Sequence, residues 1–261
     1  MASYRYRSFI PVQELIKQGI DAKLNEGEAD TVVFSKPLDI DVPIAKQARE
    51  QGCRVIVDFC DDHFNHGQLG PVYLEIAKYA NVITCPTSEM QDRILEKLKK
   101  GSVVIPDPYE CDEYKPHANG EKKVWFGHQR NLNEILPYLH KYPMTVCTGD
   151  NDKLTDYVKW SVESQEICLR KANWSVIPSS GNYKSSNRLI NSIRMGCFPI
   201  VGDNPSHKEF KKFCWVGNIK TGFDWAKAFQ SDLNDLVKQG QDYVEKNYSP
   251  EKIGSYWREV I

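Results

Sequence analysis

Apolar positions along this chain gather into short β-branched runs, and amphipathic stretches separate one run from the next. The runs predict strands at 31–35, 54–58, 82–84, 102–105, 123–126, 144–147, 174–177, 198–201 and 213–216. Between them, 3.6-residue periodicity predicts helices near 7–18, 42–51, 71–79, 88–99, 131–140, 161–171, 185–195, 222–229 and 231–246. A last helix, 250–261, opens on a Ser-Pro start signal. Strict alternation of strand and helix implies βαβ units, hence parallel sheets covered on both faces. The segment PDPYECDEYKPHANG (106–120) is rich in Pro and turn residues, lacks periodicity and reads as a linker. The fold class expected is therefore α/β, with domains at 1–106 and 121–249 joined by a linker at 107–120. One feature departs from a doubly wound pattern: the chain opens on the helix at 7–18, with no strand ahead of it.

Composition narrows the class of protein without naming a function. With 261 residues, 41% of them hydrophobic and 26% charged, the chain has a globular profile and room for two ordinary domains. The formal net charge of −1 provides no global field toward nucleic acid or an anionic membrane. No apolar run reaches the roughly 18 residues a bilayer span needs, and MASYRYRSFIPV lacks the apolar core of a signal peptide. The eight cysteines (Cys53, Cys60, Cys85, Cys111, Cys147, Cys168, Cys197 and Cys214) show no CxxC spacing and sit mostly in apolar runs. Cysteines used as small hydrophobes point to a reducing, cytoplasmic setting.

Three constellations carry candidate chemistry. The stretch 178–201, PSSGNYKSSNRLINSIRMGCFPIV, sets a Gly/Ser-rich loop ahead of a helix and a short strand. Leu189, Ile190 and Ile193 fall at helical spacing and belong to the core. Lys184 and Arg188 are expected in the helix's first turn, where aligned amides already carry positive partial charge. Cations there cost roughly 0.3–1 kcal/mol each. An anion held by amides, hydroxyls and cations together would offset that cost; a solvated edge is the plain alternative. Ser185 and Ser186 suit either a helix cap or the anion, and the helix closes on Gly196.

The second constellation is VWFGHQRN (124–131), where an apolar strand ends at Gly127 and a polar turn carries Arg130. Ligands of open α/β sheets lie beyond the carboxyl ends of strands, so Arg130 could converge with Lys184 and Arg188 on one phosphate pair. Gly149 and Asp150, after the strand at 144–147, could likewise sit under a nucleobase. The third is DFCDDHFNH (58–66), with carboxylates at Asp58, Asp61 and Asp62 and imidazoles at His63 and His66. It could bind a metal, act as acid and base, or hold an acceptor's hydroxyls. Adjacent Asp61 and Asp62 cannot point one way in extended backbone, and turn or helix caps are the structural alternative. Their charges are expected to raise the pKa of His63. Arg5 and Arg7, ahead of the first helix, either reach an anion or lie on the surface.

The order of strands, the PS loop, the KSSNR helix and the GCFPIV strand resemble the donor-binding domain of GT-B glycosyltransferases, especially the family-4 type. SYRYRSFIP, VIVDFCDDHF, ANVITCPTSEM and VVIPDPYE resemble that family's acceptor domain and its exit strand into the linker. The resemblance implies two Rossmann-like, doubly wound parallel-sheet domains facing across a cleft, the C-terminal one holding a nucleotide sugar without a metal ion. It places Arg130 and Lys184 at the donor diphosphate, Ser185, Asn187 and Arg188 nearby, Gly181 by the donor sugar, and His63 near the acceptor. It also brings helix 250–261 back onto the first domain. The family often carries two glutamates eight positions apart; Tyr183 and Asn191 stand there, and Asn191 could still bond a ribose hydroxyl. The absent first strand also removes a glycine loop that usually faces the donor.

The function expected is transfer of a sugar from a nucleotide-sugar donor to a hydroxyl acceptor, metal-independent and retaining. His63, Asp61 and Asp62 are the expected catalytic residues. Gly127, Arg130, Gly149, Gly181, Lys184, Ser185, Asn187, Arg188 and Asn191 are the expected donor-binding residues. No cofactor is expected beyond the donor itself; the partners are a nucleotide sugar and a glycan or other hydroxyl acceptor, not nucleic acid. Two alternatives stand beside this: a non-catalytic nucleotide-sugar or glycan-binding protein, and a metal-dependent enzyme built on 58–66.

Overall fold

The computed structural model describes residues 2–25, 28–110, 114–151, 154, 157–178 and 181–261. Cys111 and the loop residues Ser179 and Ser180 lie outside the described residues. The chain divides into two compact units: Met1–Glu110 with Asn182–Ser185 and Asn247–Ile261, and Cys111–Gly181 with Ser186–Lys246. Every strand pairing in both is parallel.

The first unit opens on α1 (Ala2–Tyr4), continues through a π-helical turn at Arg5–Phe9 and runs on as α2 (Ile10–Lys17). There follow β1 (Thr31–Ser35), α3 (Asp41–Glu50), β2 (Arg54–Asp58), α4 (Leu69–Ile76), β3 (Val82–Cys85), α5 (Ser88–Leu98) and β4 (Val103–Val104). Thr87 starts α5 by accepting a hydrogen bond from the Met90 amide, and Lys99 ends it in a left-handed cap. The sheet order is β1-β2-β3-β4, in chain order, with β1 at an edge. One face buries Phe34, Val55, Val57 and Ile83 against Ala45, Tyr73, Ile76 and Ile94 of the helices. The other packs Ile56 and Ile105 against Leu15 of α2 and Ile253, Trp257 and Val260 of α11 (Pro250–Val260). Gly254 permits that approach, since a Cβ there would stand 2.7 Å from the Glu14 Cβ.

The second unit holds β5 (Lys123–Phe126), α6 (Leu136–Leu139), β6 (Thr145–Thr148), β7 (Val158–Lys159), α7 (Val162–Lys171), β8 (Trp174–Ile177), α8 (Asn187–Arg194), β9 (Phe198–Val201), β10 (Trp215–Val216) and α9 (Ile219–Ala228). The long α10 (Gln230–Tyr248) lies mostly in this unit. Its sheet order is β10-β9-β8-β5-β6-β7, so the winding reverses between β8 and β5. This reversal marks a doubly wound sheet and, among the described strands, belongs to this unit. In the first unit no described strand lies beyond β1 to reverse the order. Pro199 is tolerated inside β9 because the β10 ladder begins one residue later, at Ile200.

Three local expectations change. The predicted helix at 131–140 is a 3-10 segment, Gln129–Glu134, followed by the single turn α6. The two-residue β7 and the 3-10 turn Pro205–Phe210 were not predicted from the sequence. The helix at 185–195 begins only at Asn187, so Lys184 precedes it and Arg188 alone lies in its first turn. The Ser186 side chain does not cap it; its hydroxyl donates to the Ser206 carbonyl at 2.7 Å instead. Gly196 ends this helix with φ +75°, and a Cβ there would collide with the Lys115 carbonyl oxygen.

Candidate active site

In the second unit the winding reverses between β5 and β8, and an open α/β sheet offers its ligand crevice beyond the strand ends at such a point. Gly127 follows β5 there. Its N–H donates to the Cys147 carbonyl at 3.1 Å, and its own carbonyl accepts from the Thr148 hydroxyl at 3.0 Å. Arg188, from the first turn of α8, directs Nη1 to the Phe126 carbonyl at 3.3 Å. A Cβ on residue 127 would stand 3.1 Å from that Nη1 and 3.1 Å from the Trp125 ring. Glycine is what allows the guanidinium to settle against the strand end.

The charge of Arg188 is weakly compensated. Burial pulls its pKa below the ordinary value, and the field of Glu134 opposes that shift. Among the described residues no carboxylate lies within ion-pair distance of it, and a main-chain carbonyl is its hydrogen-bond acceptor. His207, close enough to feel this charge, has its pKa pushed down to about 4, first by burial. Its ring nitrogen Nδ1 carries the hydrogen, because the Gly202 carbonyl at 3.2 Å can only accept. A neutral imidazole beside a desolvated guanidinium avoids a second buried cation.

The other donor-side candidates are placed as follows. Gly149 lies against the Gln129 side chain, and Arg130 is exposed on the turn that the His128 Nδ1 caps through the Arg130 amide. The Gly181 carbonyl accepts from the Asn204 amide at 2.6 Å, while Asn204 also receives the Ser206 hydroxyl at 3.0 Å. Lys184 and Ser185 belong to the first unit, where Ser185 hydrogen-bonds Asp107. Asn187 starts α8 and its carbonyl accepts the Asn191 amide at 2.8 Å. Asn191 itself is 0% exposed, so none of its atoms reaches the surface. The structure thus brings Gly127 and Arg188 together directly. Sequence reasoning missed Thr148, the last residue of β6, and Asn204 and His207, on the segment that follows β9.

In the first unit the strand-end cluster is dominated by an ion pair that the sequence did not suggest. Arg7 reaches Asp58 at the end of β2 with two bonds, 2.6 Å from Nη2 and 3.0 Å from Nε. Nη1 serves the Ile105 carbonyl and, at 3.2 Å, Asp107. Ser35 and Thr84, at the ends of β1 and β3, donate to the same Asp58 carboxylate at 2.9 and 2.8 Å. Both partners are sealed, Arg7 2% exposed and Asp58 0%. Arg7 therefore meets carboxylates of its own chain rather than an external anion. Arg5 is likewise engaged by Glu110.

Asp61 and Asp62 diverge, Asp61 to Lys36 at 2.7 Å and Asp62 to Arg93 at 3.0 Å. Among the described residues no group of three or more His, Cys, Asp or Glu side chains is arranged to hold a metal ion. His66 caps the start of α4, its Nδ1 accepting from the Gln68 and Leu69 amides at 3.3 Å. His63 remains partly exposed, its ring edge-on to Tyr73 at 5.6 Å and its Nε2 3.9 Å from Asp61. Its pKa is lowered, against expectation. Burial is the first cause; Asp61 pulls the other way, and Lys36 and His66 oppose Asp61. A neutral, partly exposed imidazole can accept a proton.

No known family profile matches the sequence, and no curated protein matches it. Solved structures do. TarM of S. aureus, in complex with fondaparinux, alpha-GlcNAc-glycerol and UDP, superposes with a TM-score of 0.66 at 12% identity, over 96% of this chain and 58% of that one. HepE of Anabaena, in complex with UDP, gives 0.73 at 9% identity over 95% and 80% of the two chains. An alpha-glucosyltransferase bound to UDP and a 13-mer DNA containing an HMU base gives 0.64 at 10% identity, over 88% and 80%. This chain has the GT-B fold. It spans 58% of the length of TarM and four-fifths of HepE, and identities near one in ten carry the fold alone. Within a GT-B fold the reversal beside Gly127 and Arg188 belongs to the C-terminal unit, and the His63 cluster to the N-terminal one. No helix among the described residues is long and apolar enough to cross a membrane.

Proposed function

We propose that this chain is a glycosyltransferase that moves a sugar from a nucleotide-sugar donor to a hydroxyl acceptor. The observation that carries the reading is Arg188: a desolvated guanidinium at the carboxyl end of β5, against a glycine, with no carboxylate of the described residues in ion-pair reach. A diphosphate is the ligand that such a group lacks, and a cation fixed beforehand stabilises a leaving diphosphate as charge develops on it. Gly127, Arg130, Gly149, Gly181, Lys184, Ser185 and Asn187 form the rest of the donor set in this reading; Asn191, enclosed and bonded to its own helix, leaves it. Asp61 and Asp62 are each held by a cation, which supports a metal-independent reaction in which arginine and lysine meet the diphosphate's charge. UDP accompanies TarM, HepE and the alpha-glucosyltransferase, and is the nucleotide to try first. Retention of anomeric configuration follows from the family-4 resemblance. A cytoplasmic location accords with seven described cysteines that are all free.

His63 is the acceptor-side residue in this reading, with Asp61 and Asp62 as the other members of the catalytic set. Two experiments test the whole. Calorimetry with UDP in chelator should show binding, and Lys184→Ala with Arg188→Ala should weaken it by roughly 2–4 kcal/mol. Unchanged affinity in the folded double variant sinks the donor site. His63→Ala should then lower turnover by roughly 10²–10⁴ while UDP affinity holds. One observation favours the second reading, a non-catalytic nucleotide-sugar or glycan-binding shell. Asn191, at a position where the family often has glutamate, is fully buried and bonded to its own helix. UDP binding without any donor hydrolysis would decide for the shell.

A further inference from the structure

The edge strand β1 has one strand neighbour among the described residues, β2, and its centre is open: Val33 is 39% exposed. Two backbone hydrogen bonds fix which groups face outward. The Arg54 amide donates to the Asp30 carbonyl at 2.7 Å, and the Lys36 amide donates to the Asp58 carbonyl at 3.0 Å. The N–H and C=O of one strand residue point the same way, and successive residues alternate. Asp30, Val32, Phe34 and Lys36 therefore face β2, and Thr31, Val33 and Ser35 present their N–H and C=O groups to the open edge. A row of this kind is a template for another strand, and natural edges are usually blunted by charge, proline or a bulge. TVVFS has none of these.

We propose that β1 pairs antiparallel with β1 of a second copy of this chain, about a two-fold axis at Val33, joining two four-stranded sheets into one. The register follows from symmetry and from the outward groups. Val33 exchanges both of its hydrogen bonds with Val33 of the second copy, and Thr31 and Ser35 exchange theirs with Ser35 and Thr31 of that copy. Every outward N–H and C=O of the strand is then satisfied, which no shift by a single residue achieves. The pairing is uncharged along its length. Asp30 precedes the paired stretch and Lys36 follows it, leaving the strand with φ 54° and meeting Asp61 of its own chain at 2.7 Å. The register therefore brings residues of opposite charge to each end of the ladder without placing a like pair there. Leu38, Ile40 and Ile44, which follow β1, are 49, 67 and 48% exposed and supply apolar surface beside the edge. An isologous contact of this kind closes on itself and yields a dimer, not a fibre.

Sedimentation over a concentration series should show a monomer–dimer equilibrium. Hydrogen exchange at the Thr31, Val33 and Ser35 amides should slow as the dimer fills. Val33→Pro removes only an outward N–H and leaves the β1–β2 ladder its own bonds. It should weaken the dimer by roughly tenfold or more, for two hydrogen bonds lost at the axis, with an unchanged circular dichroism spectrum. Should that variant fail to fold, Val33→Lys sets two like charges face to face at the axis and should have the same effect. A mass that stays that of one chain at every concentration overturns the proposal. So does a dimer that persists in the folded Val33→Pro or Val33→Lys variant, since another surface then makes it.

Discussion

Arg7 and Arg188 sit at equivalent kinds of place, the carboxyl ends of parallel strands in two α/β units, and their environments are opposite. Arg7 has two bonds to Asp58 and one to Asp107, beneath a layer in which Ser35 and Thr84 complete the carboxylate. Its charge is matched, and its pKa is raised by those acids despite burial. Arg188 has a main-chain carbonyl and the field of Glu134, and its pKa is lowered, first by burial. Satisfied charge locks a structure, whereas charge left short of partners favours whatever anion arrives. In the first unit the strand ends are closed by a salt bridge that also ties the opening helical segment to the sheet. In the second they are left open beside a glycine.

The largest effect that tests this contrast is on stability. Arg7→Ala strips the cation from two buried carboxylates, Asp58 and Asp107, and should cost about 3–5 kcal/mol in chemical denaturation. Pairing it with Asp58→Leu removes the orphaned charge as well and should recover a large part of that loss. A single variant as stable as the parent would show that the network is not what holds the helical segment down.

Much of the scaffold was legible in the sequence because its strands are fully apolar. VIV in β2 and FPIV in β9 announce themselves by hydrophobicity alone, and helices such as α5 carry their own cap residue. What escaped was set by tertiary contact. β7 is two residues long and exists through its pairing with Cys147 and Thr148. Arg7 and Asp58 are 51 positions apart, and nothing local marks either as half of a buried pair. In α8 every residue from Leu189 to Arg194 is buried, so periodicity cannot separate a ligand-facing Asn191 from one enclosed by its surroundings. The candidate site was legible as a set of cations and glycines at strand ends, but not as partners. Which arginine was already matched required the fold.

A second effect, of intermediate size, comes from His207. Its folded pKa of about 4 lies below the ordinary 6.5, so between those values the unfolded chain binds the extra proton and the folded chain does not. Stability is therefore full above about 6.5 and falls as pH drops toward 4, by up to about 3 kcal/mol at this site. In His207→Gln that part of the slope should vanish. Comparing the two proteins by thermal unfolding across this window isolates the term. Parallel pH profiles would mean that the imidazole is not held neutral beside Arg188.

The smallest expected effect is the most discriminating. Arg188→Met removes a cation that makes one 3.3 Å bond to a main-chain carbonyl and sits where burial penalises its charge. Without ligand, stability should change by no more than about 1 kcal/mol, in either direction, because the lost bond and the relieved desolvation nearly cancel. The thioether keeps most of the side chain's volume against Trp125 and Gly127, so no cavity enters the comparison. With UDP present the outcome should differ. A ligand at about 100 times its dissociation constant stabilises the parent by about 2.7 kcal/mol, and at the same concentration the variant should keep only a fraction of that. Thermal shifts measured with and without UDP, on Arg188→Met and on any Arg7 variant that folds, give the four numbers required. If Arg188→Met instead unfolds as readily as Arg7→Ala, both arginines are structural, and the donor site must be sought elsewhere.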